Sequence, residues 1–225
     1  GRDEDGIWWM QALASDNYIV LGNRFVADTY VDQIASGEIS SLDGFYLENE
    51  LVRMNKVFEE ESRRNLLWFG SAGCIHKGLI TVFEALRSLP ECQLHVVGLA
   101  DHEREKLDLD SLFRDLADRI HYHGFLVVGS KQLWDVVAQT GIVVFPSASE
   151  GGAPGLLTAV AIGGGYPVLS RATGIDLKES RIIENAGCVQ EVVDAVRSLI
   201  DLPLSEYRQR CAAARAEVVE EYSYD

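Results

Sequence analysis

Long hydrophobic runs are missing from this sequence. None of its apolar stretches approaches the roughly 18 to 20 residues that cross a bilayer as a helix, although 47% of its residues are hydrophobic. The opening GRDEDG also lacks the basic start and apolar stretch of a secretory signal. We therefore expect a cytoplasmic protein, neither secreted nor membrane-embedded, and leave open a peripheral membrane location for the whole protein.

Positive charge is scarce. The chain has 20 basic and 35 acidic side chains, for a formal net charge of −15. That charge repels the phosphates of nucleic acid and the anionic face of membranes. Neither nucleic acid nor direct membrane contact is expected of this chain.

Paired cysteines and other metal-binding spacings are also lacking. The four cysteines, at positions 74, 92, 188 and 211, form no CxxC pair, which argues against a zinc site or a disulfide framework. We expect reduced, mostly buried thiols. His121 and His123 share one face of a strand, but without further ligands a metal site there is the less favoured interpretation.

From about Asn65 onward, apolar β-rich runs alternate with amphipathic stretches. This alternation predicts an α/β fold with a Rossmann-like, doubly wound parallel sheet. The expected strands are NLLWFG (65–70), QLHVVG (93–98), RIHYHG (119–124), GIVVFP (141–146) and YPVLS (166–170).

The stretches between these strands have helical spacing. An apolar face formed by Leu79, Val82, Phe83 and Leu86 predicts a helix that Pro90 stops. A second helix is expected between the N-cap Ser130 and Gly141. Two more are expected near 190–201 and 205–221, after a loop that follows the last strand.

The segment before Asn65 differs in pattern. DNYIVLGNRFVADTYVDQIASG predicts one further strand and a helix, and residues 38–64 are acidic and linker-like, with no regular structure expected. Because the first residue is Gly1 rather than Met, we expect the natural protein to start earlier and the chain to be truncated. Trp8, Trp9 and Met10 would then be unusually exposed or buried in a contact with another molecule.

Three glycine-rich turns follow the predicted strands: GSAGCIHKG, GLADHE and SASEGGAPG. In parallel sheets, ligands bind at the carboxyl ends of strands, where such turns lead into helix N-termini that favour anions. Gly73 and Gly98 lie in the first two turns and would let a phosphate approach the backbone, while Lys77 adds a positive charge. Each turn taken alone is more often structural, because sharp turns need glycine in any case.

Together the motifs are more specific. FGSAGCIHKG, HVVG, IHYHGF, VVFPSASEGG, a helix ending at Gly163 and the strand around Pro167 and Val168, in this order, resemble the C-terminal domain of group 1 glycosyltransferases of the GT-B fold. The resemblance implies three parts: residues 1–37 as the tail of the N-terminal acceptor domain, 38–64 as a linker, and 65–225 as the donor domain that binds nucleotide sugar. The resemblance also implies that the bulk of the acceptor domain is absent from this sequence.

The resemblance assigns the first turn to the donor diphosphate. In the family this turn supplies an arginine and a lysine. Lys77 matches the lysine, whereas Ser71 stands where the arginine is expected. The ammonium of Lys77 therefore remains as a point charge for the diphosphate, whereas the two parallel hydrogen bonds that an arginine guanidinium would donate are missing. A solvated Lys77 at a helix start is the structural alternative.

The family also carries two glutamates separated by seven residues. Glu150 matches the first and is implied to contact the donor sugar, with the backbone amides of Gly151, Gly152 and Ala153 close by. Thr158 replaces the second glutamate, which in the family holds the ribose hydroxyls, so the ribose contact should be weaker or built differently. A solvated loop carboxylate is the alternative for Glu150.

After IHYHG the resemblance implies that backbone groups near Phe125 and Leu126 meet the nucleobase. Tyr122 and Phe125 are alternatively core aromatics, and we favour the core for Tyr122. The second turn, GLADH, lacks a second glycine that is common in the family, which leaves less room at the ligand edge.

The implied reaction transfers a hexose from a nucleoside-diphosphate sugar to an acceptor hydroxyl with retention of anomeric configuration, requiring neither a cofactor nor a metal. Glu150 and Lys77 would be its catalytic residues, because the departing diphosphate develops negative charge. The chain alone is expected to be inactive. The donor base, the sugar and the acceptor are not readable from the sequence.

Two alternatives remain at this stage. The first is a non-catalytic GT-B-like binding or assembly module, supported by the departures at Ser71 and Thr158. The second is a GT-B-type sugar-nucleotide epimerase, which would need acid and base residues from both domains.

Overall fold

The computed structural model describes residues 18–21, 39–42, 56–150 and 152–222. Trp8, Trp9 and Met10, and the helix predicted after the first strand, lie outside the described residues. Our expectation of their exposure therefore stays a prediction.

The main sheet is parallel and six-stranded. Two further strands, Tyr18–Leu21 (β1) and Ile39–Leu42 (β2), pair in parallel in a separate sheet. The main sheet has the order β5-β4-β3-β6-β7-β8. Its strands are Asn65–Phe69 (β3), Gln93–Val97 (β4), Ile120–Gly124 (β5), Ile142–Phe145 (β6), Tyr166–Ser170 (β7) and Arg181–Ile183 (β8).

Five helices lie between the strands of the main sheet and two follow its last strand, within the described residues. They are Leu79–Arg87 (α1), Asp101–Lys106 (α2), Leu109–Leu112 (α3), Lys131–Gln139 (α4), Pro154–Ala161 (α5), Val189–Ile200 (α6) and Leu204–Tyr222 (α7). Short 3-10 helices lie at Glu61–Arg64, Arg114–Arg119 and Arg171–Thr173.

Both faces of the sheet are covered. Successive residues of a strand point to opposite faces, and Leu66, Leu67, Trp68 and Phe69 are all buried. The same holds for the four residues of β6. Strands buried on both faces are typical of parallel sheets flanked by helices, and this confirms the predicted α/β class.

The helical faces read from the sequence are also confirmed. Leu79, Val82, Phe83 and Leu86 are completely buried in α1, and each contributes on the order of 2 kcal/mol of hydrophobic free energy. Ser130 caps α4, since its Oγ accepts a hydrogen bond from the backbone N–H of Leu133 at 3.2 Å.

The five predicted strands are present within a residue or two of their expected ends. Strand β8 was missed because it has only three residues, opens with Arg181 and lies at the sheet edge, where no long apolar run is needed. The irregular structure expected for residues 38–64 was wrong in part, since β2 and the 3-10 helix Glu61–Arg64 lie there.

Residues just before β3 pack on the domain. Phe58 and Arg63 are buried, and the Phe58 ring meets that of Tyr207 edge-on at 5.7 Å. Arg63 donates to the backbone carbonyls of Leu199 and Leu202. The chain from about residue 56 is therefore part of this packed unit, while the three-part division of the chain stays a prediction.

The cysteines are unpaired thiols. Cys74, Cys92 and Cys211 are buried and Cys188 is partly exposed. Burial raises the pKa of Cys92 and of Cys211 to about 12, so both are protonated and inert at neutral pH. Among the described residues, no helix is long and apolar enough to cross a membrane.

Candidate functional site

The order of the strands reverses direction at β3. The chain proceeds from β3 to β4 and β5 on one side, then returns to β6 beside β3 and proceeds to β7 and β8 on the other side. In open parallel sheets this switch leaves a crevice at the carboxyl ends of the two central strands. A ligand site is therefore expected where β3 and β6 end.

A cleft of about 270 Å³ lies at this position. The turn after β3, the turn after β5, and the loop between β6 and α5 all contribute to it. Its lining residues are Phe69, Gly70, Ser71, Lys77, Phe125, Leu126, Val128, Phe145, Glu150, Ala153, Pro154, Gly155 and Thr158.

An ion pair crosses the cleft. Lys77 Nζ donates a hydrogen bond to Glu150 Oε2 at 2.5 Å. Both side chains are only slightly exposed, 11% for Lys77 and 13% for Glu150. In so sheltered a place the attraction between the charges is weakly screened, so each charge holds the other in the cleft. The two residues singled out from separate sequence motifs thus meet directly.

Several contacts fix Lys77. The buried indole of Trp68 donates to the Lys77 carbonyl oxygen at 3.1 Å, and the ammonium lies 5.9 Å from the centre of the Phe145 ring. The next residue, Gly78, has a φ of 76°, and a Cβ there would overlap the carbonyl of Pro146. Only glycine allows the turn to approach the loop after β6 so closely.

The Glu150 loop is tied to its neighbours through the backbone. The His76 carbonyl accepts from Ala148 N at 2.7 Å and from Ser147 Oγ at 3.2 Å. Glu150 N donates to the Ala172 carbonyl at 3.1 Å. Loops from three strands are thereby joined, which holds the two ends of the ion pair in register.

Helix α5 begins at the cleft in a strained conformation. Its N-cap residue, Ala153, has φ 43° and ψ 54°, a left-handed conformation that non-glycine residues rarely adopt. Pro154 occupies the first turn, where its missing N–H is not needed. Gly155 lies against the carbonyl of Phe69, where a Cβ would overlap it. The N-terminus of α5 is thus pressed onto the end of β3.

The cleft has an apolar rim after β5. Phe125 is 82% exposed, and Val127 and Val128 are also exposed. Phe125 is therefore not a core aromatic. Tyr122, in contrast, is partly buried and packs edge-on against Phe83 at 6.3 Å, as expected of a core residue. Exposed apolar side chains next to a cleft are typical of ligand or domain contacts.

The cleft unites most of the residues that the sequence singled out. Ser71, Lys77, Phe125, Leu126, Glu150, Ala153 and Thr158 all line it. Thr158 is nearly buried there, with 6% of its surface exposed. Their roles in binding or catalysis stay predictions.

The other glycines predicted for the site either do not line the cleft or lie outside the described residues. Gly73, Gly98 and Gly152 are not among the lining residues, and Gly151 lies outside the described residues. Gly98 has a φ of 84°, and a Cβ there would overlap the Gly70 carbonyl. The glycine is thus explained by the close approach of two backbone segments.

Sequence reasoning missed part of the lining. Phe69 and Phe145 end strands β3 and β6, and Pro154 and Gly155 open α5. For Phe69 and Phe145, the position at a strand end was the available signal. Sequence reasoning also missed Glu103, whose Oε1 accepts a hydrogen bond from Gly73 N at 2.7 Å, because no motif links the second turn to the first.

The two histidines of β5 meet a third one. His95 of β4 is buried, and its Nδ1 lies 3.0 Å from His123 Nε2, while its ring centre is 4.9 Å from that of His121. The pKa of His95 is lowered to about 4, mainly by burial and to a smaller extent by the two neighbouring imidazoles. Within the described part of the chain, no group of three or more histidine, cysteine, aspartate or glutamate side chains is arranged to hold a metal ion.

A larger cavity, of about 410 Å³, lies at the amino ends of β6 and β7. It is lined in part by Lys56, Arg208 and Arg215. These cations donate to backbone carbonyls, those of Val137, Phe58 and Ala161 respectively. Cations committed to the backbone serve packing, so we assign the functional site to the cleft at the carboxyl ends.

A family model matches the sequence over most of this unit. The model of the glycosyl transferases group 1 matches residues 54–217. The chain therefore belongs to the group 1 glycosyltransferases. Among curated proteins, no sequence matches it significantly.

Solved structures agree on the fold. The sucrose-phosphate synthase from Thermosynechococcus elongatus matches with a TM-score of 0.70 and 18% identity, over 92% of this chain and 55% of its own. HepE from Anabaena, in complex with UDP and glucose, matches with a TM-score of 0.69 and 14% identity, over 93% of this chain and 60% of its own. A UDP-forming trehalose-phosphate synthase from Burkholderia xenovorans matches with a TM-score of 0.65 and 15% identity, over 93% of this chain and 59% of its own. This chain thus spans somewhat more than half the length of each.

Proposed function

We propose that this chain is the nucleotide-sugar-binding part of a retaining glycosyltransferase, which transfers a hexose from a nucleoside-diphosphate sugar to an acceptor hydroxyl. The observation that carries the proposal is the meeting of Lys77 and Glu150 in one cleft at the switch point of the sheet. Both residues match site positions of the family.

The cleft divides by chemistry in a way that suits such a donor. Lys77 and the N-terminus of α5 offer positive charge and free N–H groups to a diphosphate. Phe125 and Leu126, which line the same cleft, offer an apolar surface to the nucleobase. Glu150 also lines the cleft, and its carboxylate can accept hydrogen bonds from sugar hydroxyls.

The chemistry of the leaving group points the same way. When the glycosidic bond to the diphosphate breaks, the diphosphate gains negative charge, and a preplaced ammonium stabilises that charge without needing to reorganise. We propose that Lys77 performs this step, with no metal or other cofactor. Glu150 must then release Lys77 as the donor binds.

Calorimetric titration of the chain with UDP, GDP and ADP, and with their glucose conjugates, tests this proposal. UDP comes first because it is the nucleotide in the Anabaena structure. We expect weak binding of one nucleotide, further strengthened by the sugar. If no nucleotide or nucleotide sugar binds to the chain or to the full-length protein, the transferase proposal is wrong.

A non-catalytic binding module is the second candidate. Two observations favour it: Ser71 stands where the family has an arginine, and the one remaining cation of the first turn is neutralised by Glu150. Release of nucleoside diphosphate from a nucleotide sugar by the full-length protein separates the candidates. A module would bind the nucleotide sugar and leave it intact.

A further inference from the structure

The first turn holds a second carboxylate besides Glu150. Gly73 lies between Ser71 and Lys77, with a φ of 89°, and its N–H donates to Glu103 Oε1 at 2.7 Å. Glu103 belongs to α2, which follows the neighbouring strand β4. A backbone N–H in such a turn is the kind of group that binds phosphate oxygens.

The Glu103 carboxylate is only half satisfied. Its Oε2 is buried and has no hydrogen-bond partner within the described part of the chain. The adjacent cation, Arg104, does not neutralise it, since its guanidinium pairs with Asp110 at 2.9 Å through two nitrogens. A buried, unpartnered carboxylate oxygen is costly, so the contact with Gly73 competes with a state in which Glu103 points to water.

We propose that Glu103 limits the binding of anions beside the cleft: its carboxylate occupies the N–H of Gly73, in the same turn as the cleft-lining Ser71 and Lys77, and repels a donor diphosphate until the side chain moves out. The inference rests on the proposed function, because it takes the donor diphosphate as the anion. The Lys77 ammonium is paired with Glu150, and the Gly73 N–H donates to Glu103. Both groups that we identify in this turn as able to bind an anion are therefore already in contact with carboxylates of the same chain.

The first experiment compares Glu103→Ala with the unaltered chain in titrations with UDP, GDP, ADP and inorganic diphosphate. Alanine frees the Gly73 N–H and removes one negative charge, and it is a good helix former, so α2 is retained. We expect binding about tenfold tighter, the gain of roughly one charge-assisted hydrogen bond. Glu103→Gln, which keeps an acceptor near Gly73 but loses the charge, should give a smaller gain.

Glu105→Ala is the matched control, because Glu105 is an exposed glutamate of the same helix. It should leave the affinity unchanged. Adding Lys77→Ala to Glu103→Ala should remove most of the gain if both residues act on one diphosphate. Circular dichroism and thermal unfolding of each variant establish that it is folded.

The outcomes separate this inference from the proposed function. A gain with Glu103→Ala and none with Glu105→Ala supports the inference. Equal affinity for the unaltered chain and Glu103→Ala overturns it, while a loss on Lys77→Ala in the same series would leave the proposed function standing. If neither the unaltered chain nor Glu103→Ala binds any of the four probes, both proposals fail.

Discussion

Two residues of opposite charge, Lys77 and Glu150, meet in the cleft. The Trp68 indole donates a hydrogen bond to the backbone carbonyl of Lys77, and the Lys77 ammonium donates one to Glu150. A ligand anion therefore has to replace a carboxylate rather than find a free cation. Breaking the ion pair costs free energy, and this cost makes the net free energy of anion binding less favourable. We therefore expect modest affinity for diphosphates.

Replacing Lys77 with alanine should weaken nucleoside diphosphate binding about tenfold while leaving nucleoside binding unchanged, because only the diphosphate contacts the ammonium. Raising the salt concentration should have a similar but smaller effect, since the pair is sheltered. Titration calorimetry measures both. Lys131→Ala, at a lysine whose side chain is 82% exposed, is the control; an equal loss there would contradict a local role.

Thr158 is the second residue to test. It lines the cleft, at the position where the resemblance implies a glutamate that holds the ribose hydroxyls. Thr158→Glu should strengthen binding of a nucleoside diphosphate several-fold and leave inorganic diphosphate unaffected, because two carboxylate oxygens can accept from both ribose hydroxyls. Thr158→Gln controls for size. If the glutamate affects both ligands equally, the ribose does not lie at Thr158.

At the scale of elements, strain is concentrated at the start of α5. Ala153 adopts a left-handed conformation that costs on the order of 1 kcal/mol for a residue with a Cβ. Ala153→Gly should therefore leave the free energy of unfolding unchanged or raise it by up to about 1 kcal/mol. Urea unfolding provides the measurement.

The matched control for that strain is Ala159→Gly in the interior of the same helix. Glycine there should lower the free energy of unfolding by about 1 kcal/mol, because it loses more backbone entropy than alanine. Equal destabilisation by both substitutions would show that Ala153 is not strained.

The paired strands β4 and β5 carry a pH dependence. The folded pKa of His95 is about 4, below its ordinary value of 6.5. Above pH 6.5 neither the folded nor the unfolded chain protonates this group, so it produces no pH slope. Between 6.5 and 4 the unfolded chain binds the proton and the folded chain does not, so stability is lost as the pH falls.

The expected loss is about 3 kcal/mol across this window, since each unit of pKa difference corresponds to about 1.4 kcal/mol. His95→Gln should flatten the dependence, which urea unfolding at several pH values would reveal. His102→Gln, at an exposed histidine of α2, is the control. An unchanged slope in the His95 variant would contradict this account.

At the scale of the whole molecule, the sequence predicted the fold better than the site. Long apolar runs such as 93–98 and 141–146 define buried strands by themselves, whereas β8 has only three residues and left no pattern. The pairing of Lys77 with Glu150 required two distant loops to meet, and the contact of Glu103 with Gly73 depends on the order of strands β3 and β4. Such contacts depend on tertiary structure that local patterns do not contain.

The apolar rim of the cleft belongs to the same scale. Phe125 is 82% exposed and Val127 64%, so this side of the cleft is not covered within the described part of the chain. Under the proposed function, a second domain that binds the acceptor would lie against this rim, since the chain spans somewhat more than half of the glycosyltransferase structures that it matches. The full-length protein should therefore bind the same nucleotide more tightly than this chain, in paired titrations under identical buffer conditions.

The decisive experiment is a structure of the chain with bound nucleoside diphosphate. We expect the diphosphate within hydrogen-bonding distance of Lys77 Nζ, the Lys77–Glu150 pair broken, and the base beside Phe125 and Leu126. A nucleotide bound in the cavity lined by Lys56 and Arg208, with the Lys77–Glu150 pair intact, would contradict this expectation.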